Sequence, residues 1–156
     1  MEKTLIILKP DSVQRRLAGR IISRFEEKGL NIIGLKMMKI DKALAERLYS
    51  VHQGKHFYDK LIRFITSSPV VVMALEGKNV IEVARKLMGA TFGSKAEAGT
   101  IRGDFAMSNS FNVVHGSDSA ESVERELPLF FGPEELLKWE PADISWVYDF
   151  SGGEAE

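Results

Sequence analysis

The chain has no cysteine. That excludes disulfides, thiolate nucleophiles and cysteine-ligated zinc. It has no long apolar run either. The stretch MEKTLIILKPD is too short for a signal peptide, Pro10 ends it, and nowhere do the roughly 20 apolar residues of a membrane span occur together. Positive charge is not in excess: 21 Lys and Arg against 22 Asp and Glu leave a formal net charge of −1. No overall basic field therefore draws nucleic acid or an anionic membrane, and an anionic ligand must be held by a local cluster of cations. Two phosphate-binding signatures are missing. Gly54-Lys55-His56 and Gly77-Lys78-Asn79 lack the Ser or Thr of a Walker loop, and no Gly-x-Gly-x-x-Gly occurs. Histidine is scarce, with three in all. His52 and His56 stand four apart, a spacing that can hold a metal on a helix, but Gly54 lies between them and no glutamate completes a zincin pattern. They read as ordinary surface or supporting histidines.

What is present is an ordinary composition for a soluble globular protein. Of 156 residues, 44% are hydrophobic and 28% charged, enough for one domain with a sizeable core and with the cytoplasm as the expected compartment. Thr4–Leu8 reads as a buried strand closed by Lys9-Pro10-Asp11, with Asp11 or Ser12 placed to cap the next element. Leu17, Ile21, Ile22 and Phe25 then recur at helical spacing up to Gly29. Strand character returns over Leu30–Ile40. Helices are expected over Ala43–Val51 and Phe57–Ile65, a buried strand over Pro69–Leu75, and a helix from Val80 to Gly89. Thr91–Asp104 lacks periodicity and reads as a loop. Phe111–Val114 is the fourth strand. Asp118 with Glu121 fits a helix cap, so a helix is expected over about Ser119–Leu127. This order predicts an α+β, ferredoxin-like (split βαβ) four-stranded antiparallel sheet with helices on one face. A single domain spans residues 1–150, and the acidic tail 151–156 is expected to be mobile.

His115 sits where the fourth strand runs into Gly116-Ser117-Asp118-Ser119. It is either a satisfied strand-end histidine or a nucleophile. Neutral imidazole attacks well near pH 7, and a phosphohistidine would divide one phosphoryl transfer into two steps. Such a group needs cations around the phosphate, a partner fixing its tautomer, and access. Gly116 offers access. Arg102 is offered by a loop, and Lys9 sits at a strand end beside Pro10, where its position is well fixed. Gly116-Ser117-Asp118 does not form a hydrolase elbow, which needs Gly-x-Ser-x-Gly.

Lys-Pro-Asp at 9–11, Thr-Ile-Arg-Gly-Asp at 100–104, Asn-x-x-His-Gly-Ser-Asp-Ser at 112–119 and Trp-Val-Tyr at 146–148 together resemble the nucleoside diphosphate kinase family, from about Lys3 to Tyr148. The resemblance implies that His115 takes the γ-phosphoryl of a nucleoside triphosphate and gives it to a nucleoside diphosphate in a ping-pong reaction. Glu126 would set the imidazole tautomer and Ser117 would hold that glutamate. Lys9 would reach the transferred phosphate and ribose, and Tyr49 would place its hydroxyl nearby. Arg85 and Arg102 would clamp the phosphates, Thr91 would donate a hydroxyl, and Asn112 would hold the ribose. Phe57 and Leu61 would form the base slot. Stacking without edge hydrogen bonds accepts every base. Mg²⁺ would arrive on the nucleotide phosphates, with no direct protein ligand and Asp118 the nearest carboxylate. Family members are hexamers or tetramers built from a common dimer. The segment Thr91–Ala98 lacks the prolines usual in the family and should have more conformational freedom. Two rival readings are a non-catalytic nucleotide- or nucleic-acid-binding relative and a histidine phosphocarrier. The first would lack the histidine or an arginine; the second would need no base slot.

Overall fold

The computed structural model describes all 156 residues. Four antiparallel strands form one sheet in the order β2-β3-β1-β4: β1 Glu2–Leu8, β2 Asn31–Met38, β3 Val70–Gly77 and β4 Val114–Gly116. The helices are α1 Pro10–Gln14, α2 Ala18–Glu27, α3 Lys42–Leu48, α4 Tyr58–Ile65, α5 Val80–Met88, α6 Ile101–Phe105, α7 Ala120–Phe130 and α8 Ile144–Val147. This is the expected ferredoxin-like order. No helix is long and apolar enough to cross a membrane.

The sheet is covered on both faces, not on one. Its central strands β1 and β3 are apolar on both sides, so each side needs a cover. Leu5 and Ile7 of β1 face Ala45 and Leu48 of α3, Ile62 and Ile65 of α4, and Val123, Leu127 and Phe130 of α7. Ile6 and Leu8 face Ile21 and Phe25 of α2 and Val80, Ala84 and Met88 of α5. Full burial of a side chain such as Phe25 is worth about 1.5–3 kcal/mol.

Local departures from the expected pattern have identifiable causes. The helix after Pro10 is two helices, because Arg16 turns the chain with φ +59°. Neither Asp11 nor Ser12 caps it. Lys9 is the N-cap residue, with Pro10 in the first turn where a missing N–H costs nothing. The 91–104 segment is not all loop: Thr100 accepts from the Gly103 N–H and starts α6. Ser119, not Asp118, caps α7, which continues through Pro128 to Phe130. The fourth strand begins where it was expected to end, since Val113 has φ +62°. In the tail, Lys78 Nζ donates to the Ala155 carbonyl at 2.7 Å.

Candidate active site

The bend at Val113 organises the site. The Val114 N–H donates to the Asn112 carbonyl at 2.7 Å, closing a three-residue turn whose positive-φ form is rare and strained. Left-handed backbone costs a β-branched residue about 1–2 kcal/mol, so the surroundings must enforce it. They do. Asp11 Oδ2 accepts from the Val113 N–H at 3.1 Å. The Lys9 N–H and the Ser12 hydroxyl both donate to the Val113 carbonyl. Arg102 braces both ends, with Nε donating to the Asn112 carbonyl at 3.2 Å and Nη2 to that of Val114 at 2.7 Å. Asp11 and Ser12 were legible only as helix caps. Their function is to hold the turn before β4, a contact across about a hundred residues that no local pattern carries.

After this turn His115 pairs with Ile7 and shares its face of the sheet, toward α3 and α7. Its Nε2 lies 3.3 Å from Glu126 Oε1. The atoms are close but poorly aligned, and Nε2 has no well-formed hydrogen bond. Ser117 donates to the other carboxylate oxygen. Arg125 Nη2 stands 3.7 Å from Glu126 Oε1. Burial would raise the Glu126 pKa, but the contacts with His115, Ser117 and Arg125 outweigh it and hold the carboxyl ionised below its ordinary range. Arg125 is thus a neighbour that the sequence reading did not single out. Nδ1 of His115 makes no protein hydrogen bond and keeps solvent contact. The Tyr49 ring meets the imidazole edge-on, with centroids 5.9 Å apart. Its hydroxyl is buried without a partner, and burial followed by Glu126 raises its pKa. Gly116 does not open the way to His115. It faces the opposite side, where a Cβ would lie 2.6 Å from Met88 Sδ.

Three cations gather on the same edge, and none is within ion-pair distance of a carboxylate. Lys9 Nζ donates to Asn112 Oδ1 at 2.8 Å, and Asn112 Nδ2 donates to the Thr91 carbonyl at 2.8 Å. Arg85 Nη1 donates to the Gly116 carbonyl at 3.2 Å. Arg102 Nη1 donates to the Gly89 carbonyl at 3.0 Å. With three of its five N–H donors on carbonyls, Arg102 keeps two for a ligand. Burial and then Arg102 lower the Lys9 pKa to about 8. Burial and then Arg85 lower that of Arg102 to about 10. Crowded cations with no carboxylate in direct ion-pair contact suit a polyanion.

Phe57 precedes α4 with 37% of its surface exposed, and Leu61 packs partly into the core one turn later. Asp118 is exposed and accepts from the Ser122 hydroxyl at 2.5 Å; that bond is the chief reason its pKa is lowered. No cluster of three or more His, Asp and Glu side chains could hold a metal ion. Among the expected residues, His115, Glu126, Ser117 and Tyr49 form one contact set. Lys9, Asn112, Thr91 and Arg102 form a second, joined to the first through the 112–116 backbone.

The family model described as nucleoside diphosphate kinase matches residues 2–136. The chain belongs to the nucleoside diphosphate kinase family. It is an enzyme that transfers phosphoryl groups between nucleotides. Among curated relatives, the nucleoside diphosphate kinase of Roseiflexus sp. (strain RS-1) is 53% identical, over 96% of this chain and 100% of its own. That of Thermosynechococcus vestitus is 54% identical, over 96% and 99%. A solved nucleoside diphosphate kinase from Halobacterium salinarum, in complex with CDP, superposes with a TM-score of 0.93 at 45% identity, covering 95% of this chain and 99% of that one.

Proposed function

We propose that His115 carries the phosphoryl group, through Nδ1. The observation that carries this reading is the division of the imidazole between two environments. Nε2 faces a buried carboxylate, whereas Nδ1 has no protein partner, and Lys9, Arg85 and Arg102 hold Asn112 and the carbonyls of Gly116 and Val114 around it in the chain. Glu126 favours the tautomer with the proton on Nε2, which leaves the Nδ1 lone pair free. Nδ1 attacks the γ-phosphorus of a nucleoside triphosphate, usually ATP, and the bond to the β,γ-bridging oxygen breaks. The diphosphate leaves with that electron pair. A terminal oxygen of a different nucleoside diphosphate then attacks the phosphohistidine and restores Nδ1. Lys9, Arg85 and Arg102 neutralise the charge spread over the phosphoryl oxygens, and the Tyr49 hydroxyl and Thr91 offer donors. Asn112 holds the ribose. Phe57 and Leu61 take the base by stacking, so ribo- and deoxyribonucleotides of any base serve.

A divalent ion, Mg²⁺, would accompany the nucleotide and would supply charge neutralisation at its phosphates. One exposed carboxylate, Asp118, fits an ion brought by its ligand better than a resident one. Edge strand β2 leaves Leu35 and Met37 exposed, apolar surface that a second copy would cover. This supports a homo-oligomer, hexamer or tetramer, built from dimers. The expected compartment is the cytoplasm.

The test is incubation with γ-labelled ATP and Mg²⁺. Label on the protein should be acid-labile, alkali-stable, absent from His115→Ala and discharged by GDP. Label that persists in the variant, or that GDP cannot remove, contradicts the reading.

A further inference from the structure

One residue beside the site has no role in the reaction as drawn. His52 ends the turn Ser50–His52 that follows α3. Its ring lies between those of Tyr49 and Phe57, at centroid distances of 6.1 Å and 5.4 Å. Tyr49 in turn meets His115 edge-on. Four rings thus run in sequence from the base slot to the nucleophile: Phe57, His52, Tyr49, His115. His52 is the only link between the slot half and the nucleophile half of this row. Its Nδ1 accepts from Lys55 Nζ at 3.3 Å, because an ammonium can only donate. That bond ties the ring to the 53–57 turn. His56 also meets Phe57, at 5.3 Å, so two imidazoles pack against the slot aromatic.

We propose that His52 is a positioning residue that fixes the spacing between the base slot and the imidazole of His115. Aromatic rings favour such edge and tilted arrangements, so the row favours one placement of the exposed 53–57 turn relative to His115. Residues 53–57 are all exposed, and besides His52 only His56 and Lys55 Nζ, 5.7 Å from its centroid, pack on the Phe57 ring. With the base stacked on Phe57, His52 sets how far the triphosphate reaches toward Nδ1. The proposal rests on the phosphohistidine reading above. It adds that recognition of the base is converted into alignment of the phosphate through this ring.

A phosphodonor without a base separates the two ideas. Phosphoramidate can phosphorylate Nδ1 directly, its P–N bond breaking and ammonia leaving. In His52→Ala, single-turnover labelling by ATP should fall about tenfold to a hundredfold, the range that misplacement of reacting atoms produces, while labelling by phosphoramidate stays within about twofold. His52→Phe, which keeps a ring between Tyr49 and Phe57, should recover most of the ATP rate. Equal loss with both donors, no loss with ATP, or no recovery in His52→Phe overturns the proposal. Should the unaltered enzyme take no label from phosphoramidate on His115, the phosphohistidine reading itself falls, and this proposal with it.

Discussion

Replacing Lys9 by Met should stabilise the fold while disabling the enzyme. The Lys9 side chain is buried, and burial followed by Arg102 brings its pKa from 10.5 to about 8. At about 1.4 kcal/mol per tenfold change, keeping Lys9 charged at pH 7 costs the folded state about 3 kcal/mol. Methionine removes that term with similar length. It also leaves Asn112 Oδ1 without its donor, which costs about 1–2 kcal/mol. The balance is a gain of about 1–2 kcal/mol, or a few degrees in Tm for a domain of this size. The sign with pH follows from proton counts. Between pH 8 and 10.5 the unfolded chain holds a proton on Lys9 that the folded chain lacks, so the penalty shrinks as pH rises. The advantage of Lys9→Met should therefore be largest below pH 8, vanish at about pH 9–10, and turn into a deficit of about 1–2 kcal/mol near pH 10.5, where only the lost Asn112 bond remains. In the unaltered enzyme, kcat/KM should fall as pH rises through about 8, as the cation is lost. Thermal melts of both proteins at pH 7 and pH 10, with activity measured in parallel, provide the check. A lower Tm for Lys9→Met at pH 7, or a Tm difference independent of pH, would refute the reasoning.

Three other substitutions probe separate parts of the site. Glu126→Gln keeps the shape but removes the charge that holds the proton on Nε2; kcat should fall about 10²-fold with KM little changed, as steady-state kinetics will show. Phe57→Ala should weaken purine and pyrimidine nucleotides alike by about 1–3 kcal/mol, read from binding titrations; a loss confined to one base class would contradict slot stacking. Arg102→Lys cannot reach the carbonyls of Gly89, Asn112 and Val114 together and should destabilise the fold by about 3 kcal/mol, measured by denaturant unfolding.

The long periodic segments were legible in the sequence because their signal is local. In α2, Ile21 and Phe25 stand four apart and point to the same core, and β1 has an apolar run that needs covers on both sides. That same run should have argued against helices on one face alone. Other features were hidden by long-range causes. The register of β4 is set by Asp11 and Ser12 acting on Val113 and by Arg102 on the carbonyls of Asn112 and Val114, and a valine with positive φ leaves no mark in its own sequence. With the bend in place, Asn112 and His115 can serve one ligand although a straight strand would send them to opposite faces. Gly116 looked like an opening and is instead demanded by Met88 of α5. The start of α6 at Thr100 was written locally, in a threonine three residues before Gly103, but sat within a segment read as loop.

For the proposed division of labour between the two imidazole nitrogens, locating the phosphate on the trapped phosphoenzyme is the most direct measurement. With ¹⁵N-labelled histidine, phosphorus–nitrogen coupling distinguishes the ring positions. The structure predicts phosphate on Nδ1 of His115, with the Nε2 proton retained beside Glu126. Phosphate on Nε2, or on any residue other than His115, would contradict the account.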